Sequence, residues 1–331
     1  MPRLLFDVRS RANQGGVSRV TERVLLYVQR TQPHAEIKTI TTGWEPHSAD
    51  IHVRLPNKLW SFLTLFRLTS LDRAATAATK QSFDELILPN VGFVGKPKIP
   101  YTIVVHDLSF LIEPHWFPWK MRFWHRAVRA TKIIKQATHI WCVSHTTARD
   151  VERLLNIPHE RITVLPHAVI AGSNLRNLDA PATGNAAPVG RYVLAFTGSR
   201  RKNAATAIAT VARLKEDPRF ADLRLFLVGA ETARQHLHHP WLAVIPHLTE
   251  PQLHDFYKRA AALLYPSWYE GFGLPLHEAA AYNVPLLASA HGALPETAPH
   301  GTILIPPAKP HLWVSALRES LSVTSQQSQK T

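Results

Sequence analysis

Two carboxylates, Glu270 and Glu278, stand at either end of the run Gly271-Phe272-Gly273-Leu274-Pro275. The residues before it, Ala261 to Pro266, are apolar and read as a buried strand. The glycines loosen the backbone, and Pro275 sits where a helix tolerates its missing N–H. Asn283 and Pro285 end that helix, and Pro285 to Ser289 reads as the next strand. A strand, a glycine loop and a helix present unpaired backbone N–H groups to a phosphate. Carboxylates repel phosphate but accept hydrogen bonds from sugar and ribose hydroxyls, so the arrangement points to a nucleotide-sugar site. Glu278 is expected in the first helical turn, where a negative charge is also favourable for purely structural reasons.

Three further stretches carry chemistry. Gly198-Ser199-Arg200-Arg201-Lys202-Asn203 follows the strand-like Tyr192 to Thr197 and opens a helix through Leu214. Backbone donors, helix dipole and point charges all have the sign a diphosphate needs. His106-Asp107 ends the buried strand Tyr101 to Val105, where ligands bind in open α/β sheets. Gly15-Gly16 follows the first strand, Leu4 to Val8, and precedes the helical spacing of Val20, Val24, Leu25 and Val28. That turn is either a phosphate-facing nest or simply a tight strand-to-helix connection.

The chain of 331 residues is long enough for two domains, with 45% hydrophobic and 19% charged residues. Residues 173–190, rich in small residues, Gly and Pro, read as a linker between domains 1–172 and 191–331. Strands alternating with helices on both sides of it predict two α/β, Rossmann-like halves with parallel sheets facing a central cleft. The single Cys142 excludes an internal disulfide and a cysteine-based zinc site. The histidines of Gln235 to His239 lack a nearby carboxylate and read as an exposed loop rather than a metal site. No signal peptide and no apolar run of roughly 20 residues is visible, so a cytoplasmic protein is expected.

The net charge of +14 is uneven, with an excess of ten cations over residues 1–172 and of four beyond. Trp116 to Lys135 interleaves aromatic and basic residues without one acid. This composition suits a helix on the anionic inner face of the cell membrane. A packed amphipathic helix is the alternative, and nucleic acid is not expected as a partner. Residues 57–73 form a second apolar segment with sparse cations, either a core helix or another membrane-facing one.

Glu270 to Glu278, with Gly-Phe-Gly-Leu-Pro between, resembles the E-x7-E signature of the retaining GT-B glycosyltransferases of family 4. Further likenesses are His106-Asp107-Leu108, as in mannosyltransferase-like members, and Val143-Ser144 ahead of Thr147. The Arg201-Lys202-Asn203 run and His291-Gly292-Ala293-Leu294-Pro295-Glu296 also match, whereas His167-Ala168 replaces a usual Asn-Gly. The resemblance spans nearly the whole chain. It implies transfer of a sugar, with retention, from a nucleoside diphosphate sugar to a hydroxyl of a saccharide or lipid-linked saccharide in cell-surface polysaccharide synthesis. GDP-mannose is the favoured donor. It also implies Arg201, Lys202 and the Gly271, Phe272, Gly273 and Leu274 amides on the donor diphosphate, Glu278 on the ribose, and Glu270 and His106 on the donor sugar. Gly15 and Gly16 would face donor and acceptor, and His247 and Leu248 would lie beside the base. Arg201 and Lys202 are expected to take the diphosphate and leave both glutamates to hydroxyls. No cofactor or metal is expected, and no Asp-x-Asp motif occurs. The alternatives are a GT-B-like nucleotide-sugar epimerase and a non-catalytic membrane-surface module. A Rossmann dehydrogenase is disfavoured, since Gly271-Phe272-Gly273 follows the wrong strand and lacks a third glycine.

Overall fold

The computed structural model describes residues 1–12, 15–44, 48–172, 187, 189–229 and 239–328. Most of the expected linker, and the run from Gln235 to His238, lie outside them. The chain divides into two compact units, residues 1–114 with 118–172, and residues 115–117 with the described residues beyond 173.

The first unit runs β1 (Arg3–Asp7), α1 (Gly16–Thr31), β2 (Glu36–Thr42), β3 (Ile51–Val53), α2 (Asn57–Leu65), α3 (Leu71–Thr79), β4 (Glu85–Leu88) and β5 (Tyr101–Val105). It continues through α4 (Ser109–Ile112), α5 (Trp119–Ala127), α6 (Ala130–Gln136), β6 (His139–Cys142), α7 (His145–Leu155), β7 (Ile162–Val164) and α8 (His167–Ala171). Its strands pair in parallel in the order β3-β2-β1-β4-β5-β6-β7. Buried parallel strands read as near-continuous apolar runs because helices cover both faces, and β5, with every residue buried, shows this. β2 and β3 carry Lys38, Thr39 and His52 among their apolar residues, and the sequence pattern did not mark them as strands.

The second unit runs β8 (Tyr192–Phe196), α9 (Ala204–Leu214), β9 (Arg224–Val228), β10 (Leu242–Ile245), α10 (Glu250–Arg259), β11 (Ala262–Tyr265) and α11 (Leu274–Ala280). It ends with β12 (Leu286–Ser289), α12 (Leu294–Thr297), β13 (Ile303–Ile305) and α13 (Pro310–Ser328). The parallel order is β10-β9-β8-β11-β12-β13. Alternate residues feed two cores, with Val193, Ala195, Leu225 and Leu227 on one face and Tyr192, Leu194, Phe226 and Val228 on the other. In each sheet the strand order reverses once, between β1 and β4 and between β8 and β11, which opens a crevice at the strand C-termini.

Two sequence expectations change. Residues 57–73 are not one core helix: α2 ends at Leu65, Arg67 turns left-handed at φ 59°, and within α2 only Trp60 and Thr64 are buried. The basic aromatic stretch is likewise two helices, α5 and α6, broken at left-handed Arg129. No helix among the described residues is long and apolar enough to cross a membrane.

Candidate functional site

In the second unit the reversal point lies between the loops that follow β8 and β11. The β8 loop tightens into a 3₁₀ turn, Arg200–Lys202, and Asn203 follows in the left-handed region at φ 53°. Asparagine tolerates that conformation, and its side-chain amide donates to the Pro266 carbonyl at 3.0 Å. The Trp268 N–H donates to the Arg201 carbonyl at 2.8 Å. These bonds fasten the cation-bearing loop to the carboxylate-bearing one.

Glu270 is the hinge of the cluster. Arg201 Nη1 donates to Glu270 Oε2 at 2.9 Å and to the Tyr269 carbonyl at 2.9 Å. Lys202 Nζ donates to Glu270 Oε1 at 2.7 Å and to the Tyr265 hydroxyl at 2.6 Å, with its ammonium 4.6 Å from the Tyr265 ring centroid. Burial alone would raise the carboxyl pKa, but the Arg201 and Lys202 charges overcome it and hold Glu270 at about 2. Burial, then the Glu270 charge, pushes the Tyr265 hydroxyl well above its ordinary value, and Glu278 adds to the push. The charges of both carboxylates therefore act on this one hydroxyl.

The structure pairs each Glu270 oxygen with one of the two cations expected on the diphosphate, so Glu270 is not left to hydroxyls alone. Glycine geometry explains how the carboxylate is seated. Gly292 has φ 62°, and a Cβ there would lie 2.9 Å from the Glu270 nitrogen. The next N–H, of Ala293, donates to the Glu270 carbonyl at 2.9 Å.

Gly271 and Phe272 continue from Glu270, and Gly273 caps α11 at φ 92° with Leu274 as its first residue. A Cβ on Gly273 would stand 2.6 Å from Leu294 Cδ2, so the turn closes tightly on α12. Thr297 Oγ1 donates to the Phe272 carbonyl at 2.5 Å and fixes the turn from the same side. Glu278 is the fifth residue of α11 and so lies beyond the first turn, contrary to expectation, because the helix starts at Leu274. It is 1% exposed and accepts a hydrogen bond from the Tyr257 hydroxyl at 3.1 Å. His247 is exposed and Leu248 buried in the loop between β10 and α10.

In the first unit, His106 follows β5, and its Nε2 meets the Pro89 carbonyl at 2.8 Å. A carbonyl only accepts, so Nε2 carries the proton. Burial keeps the ring neutral by lowering its pKa, against the smaller opposing pulls of that bond and Asp107. A neutral ring with this tautomer presents Nδ1 as an acceptor for a hydroxyl. Gly15 is the N-cap of α1, and Gly16 its first residue.

Beside Pro89, at the β1–β4 reversal, opens a pocket of about 530 Å³ lined by Asp7, Arg9, Ser10, Lys120 and Trp124 among others. Arg9 grips buried Asp7 bidentately, at 2.9 and 2.7 Å, and donates to the Phe93 carbonyl at 2.7 Å. Sequence reasoning missed Tyr265, Asp7 and Arg9. A carboxylate ending a buried strand was the available signal for Asp7, while Tyr265 read as an ordinary strand aromatic.

Residues 14–171 match the family model described as Glycosyltransferase Family 4, and residues 191–322 match Glycosyl transferases group 1. The chain is 29% identical over 217 residues to the serotype-specific mannosyltransferase WbdA of Escherichia coli, covering 56% of this chain and 25% of that protein. It is 24% identical over 221 residues to the O-antigen chain mannosyltransferase RfbU of Salmonella typhimurium, covering 66% and 60%. It thus spans from a quarter to less than two thirds of these curated relatives. Among solved structures, the sucrose-phosphate synthase of Thermosynechococcus elongatus superposes with a TM-score of 0.66 at 18% identity, over 97% of this chain and 90% of that one. WaaG, a glycosyltransferase involved in lipopolysaccharide biosynthesis, superposes with a TM-score of 0.61 at 17% identity, over 96% and 90%. These likenesses carry the fold, two Rossmann-like α/β units of the GT-B kind.

Proposed function

The chain belongs to the family 4 glycosyltransferases, and from that premise we propose that it moves a sugar from a nucleoside diphosphate sugar to a hydroxyl of a saccharide or lipid-linked saccharide in cell-surface polysaccharide synthesis. The observation that carries this reading is the cluster of Arg201, Lys202 and Glu270 beside the Gly271–Gly273 turn, at the strand reversal of the second sheet. Two cations against one carboxylate leave a net positive charge for the leaving diphosphate, whose neutralisation is the main demand of the reaction. The backbone amides of Gly271, Phe272, Gly273 and Leu274 add donors. Glu270, held in place by those cations, offers its remaining acceptor capacity to a donor-sugar hydroxyl. Glu278 serves the ribose, and the loop of His247 and Leu248 serves the base. His106, with Nδ1 as acceptor, and Gly15-Gly16 serve the transferred sugar and the acceptor.

We further assign a retaining, metal-independent reaction and mannose from GDP-mannose as the donor, which the likeness to two mannosyltransferases supports. The partners are the sugar nucleotide, the acceptor, and the anionic inner face of the membrane, approached through Trp116 to Lys135. Helix α5 supports the last assignment, as none of its residues is buried.

Incubation with a panel of nucleotide sugars and saccharide acceptors tests the reading. The expected result is acceptor-dependent release of GDP that survives EDTA and falls at least a hundredfold in Glu270→Ala. Accumulation of an epimerised sugar nucleotide, or full turnover in that variant, would sink the transfer assignment. Calorimetric preference for UDP or dTDP over GDP would overturn the mannose donor alone.

A further inference from the structure

A second concave feature of the first unit shares no lining residue with the pocket beside Pro89. It lies where the end of α2, residues 93–96 and the α5–α6 junction meet, and four cations line it: Arg67, Lys96, Arg129 and Lys132. No acidic residue lines it. The three stretches that build it, residues 51–71, 86–106 and 118–149, contain no Asp or Glu at all. None of the four cations meets a carboxylate among the described residues.

Two of them stand on unusual backbone. Arg67 and Arg129 adopt φ of 59° and 57°, a region that disfavours residues with a Cβ and that glycine or asparagine fills more easily. A long cation occupies each break instead, at the end of α2 and between α5 and α6. Such strain persists where the surroundings hold it. Around Arg67 they do: Gly95 pairs with Ser70, and a Cβ on Gly95 would stand 2.2 Å from the Thr69 carbonyl oxygen.

Exposed apolar side chains run away from the pocket along both helices. Ala127 lines it, and Phe123 and Trp119 continue the same i, i−4 stripe of α5 at 67% and 66% exposure. Phe66 and Leu68 flank Arg67, and Phe66 packs on Phe62 at 4.6 Å between ring centroids, both rings more than half exposed. A carboxylate-free cluster of cations framed by exposed aromatic rings complements a phosphate set within an apolar interfacial layer.

We propose that this pocket receives the phosphate of an anionic glycerophospholipid, while Phe62, Phe66, Trp119 and Phe123 enter the bilayer interface around it. The proposal rests on the membrane contact included in the functional reading and names the residues and headgroup chemistry that make it. Arg67→Gly with Arg129→Gly is the decisive variant, because glycine keeps the left-handed backbone while removing both charges. Partition of the full chain is measured on vesicles of phosphatidylcholine alone and of phosphatidylcholine enriched in phosphatidylglycerol. The wild type is expected on the enriched vesicles only. The double variant is expected to bind them roughly twenty- to thirtyfold more weakly, from the usual contribution of two basic residues at an anionic surface. The control removes two exposed cations elsewhere on the unit, Arg149→Gln with Arg153→Gln, and is expected to stay within a fewfold of wild type. Circular dichroism checks that each variant is folded. Equal losses in both variants, or none in the glycine pair, overturn the pocket while leaving membrane contact standing. A wild type that ignores the enriched vesicles overturns the contact itself.

Discussion

Glu270 shows how one carboxylate serves both stability and binding. It is 6% exposed and holds two cations that would otherwise repel each other in a half-buried loop pair. Removing one partner of a buried ionic cluster strands the others, so Glu270→Gln is expected to lower stability by about 3 kcal/mol. The pH dependence follows from the depressed value. A carboxyl held at about 2 when folded and near 4.5 when unfolded contributes fully above 4.5, and the contribution is lost as pH falls towards 2. Urea titrations should show wild type and Glu270→Gln converging across that window; a pH-independent gap would contradict the pairing. His106 follows the same sign rule. Its pKa is lowered from 6.5, so the neutral ring contributes fully above that value, and the contribution is lost as pH falls below it. In an NMR titration its ring should remain neutral at pH values where exposed histidines are half protonated. His106→Gln keeps an amide donor for the Pro89 carbonyl, whereas His106→Phe leaves that oxygen unmet and should be less stable by about 1–3 kcal/mol.

At the scale of elements, the site is made by turns rather than by helices or strands. Gly292 and Gly301 both have positive φ, but an added Cβ meets the Glu270 backbone at the first and nothing within 4 Å at the second. Gly292→Ala and Gly301→Ala should therefore share the backbone strain of about 1 kcal/mol, while only the first displaces Glu270 and raises the donor KM. Equal donor KM in the two variants would show that Gly292 does not seat the carboxylate. The motif from Gly271 to Pro275 was legible because glycine and proline impose their conformations locally. The offset of Glu278 was not, since one residue in the helix start decides its turn, and tertiary contacts with Leu294 and Thr297 set that start.

For the molecule as a whole, each unit owns a parallel sheet and its own buried clusters. A fragment of residues 187–331 is expected to unfold cooperatively and to bind GDP measurably without the first unit, checked by denaturant titration and calorimetry. A folded fragment blind to GDP would mean that the residues named in the second unit do not suffice for the nucleotide. The alternation of apolar strands with helices determined the α/β class, and the composition placed a break between the two halves. The sequence also marked Arg201, Lys202, Glu270 and His106, because strand ends, glycine turns and charge clusters are local signals. What it left open is which charges meet. Arg201 and Lys202 reach Glu270 across 69 and 68 residues, and Tyr265 joins them through a hydroxyl that looked like core. Only the order β8-β11 brings those two loops side by side, since strand neighbours in a parallel sheet are chosen by crossover connections and packing rather than by adjacency in the chain.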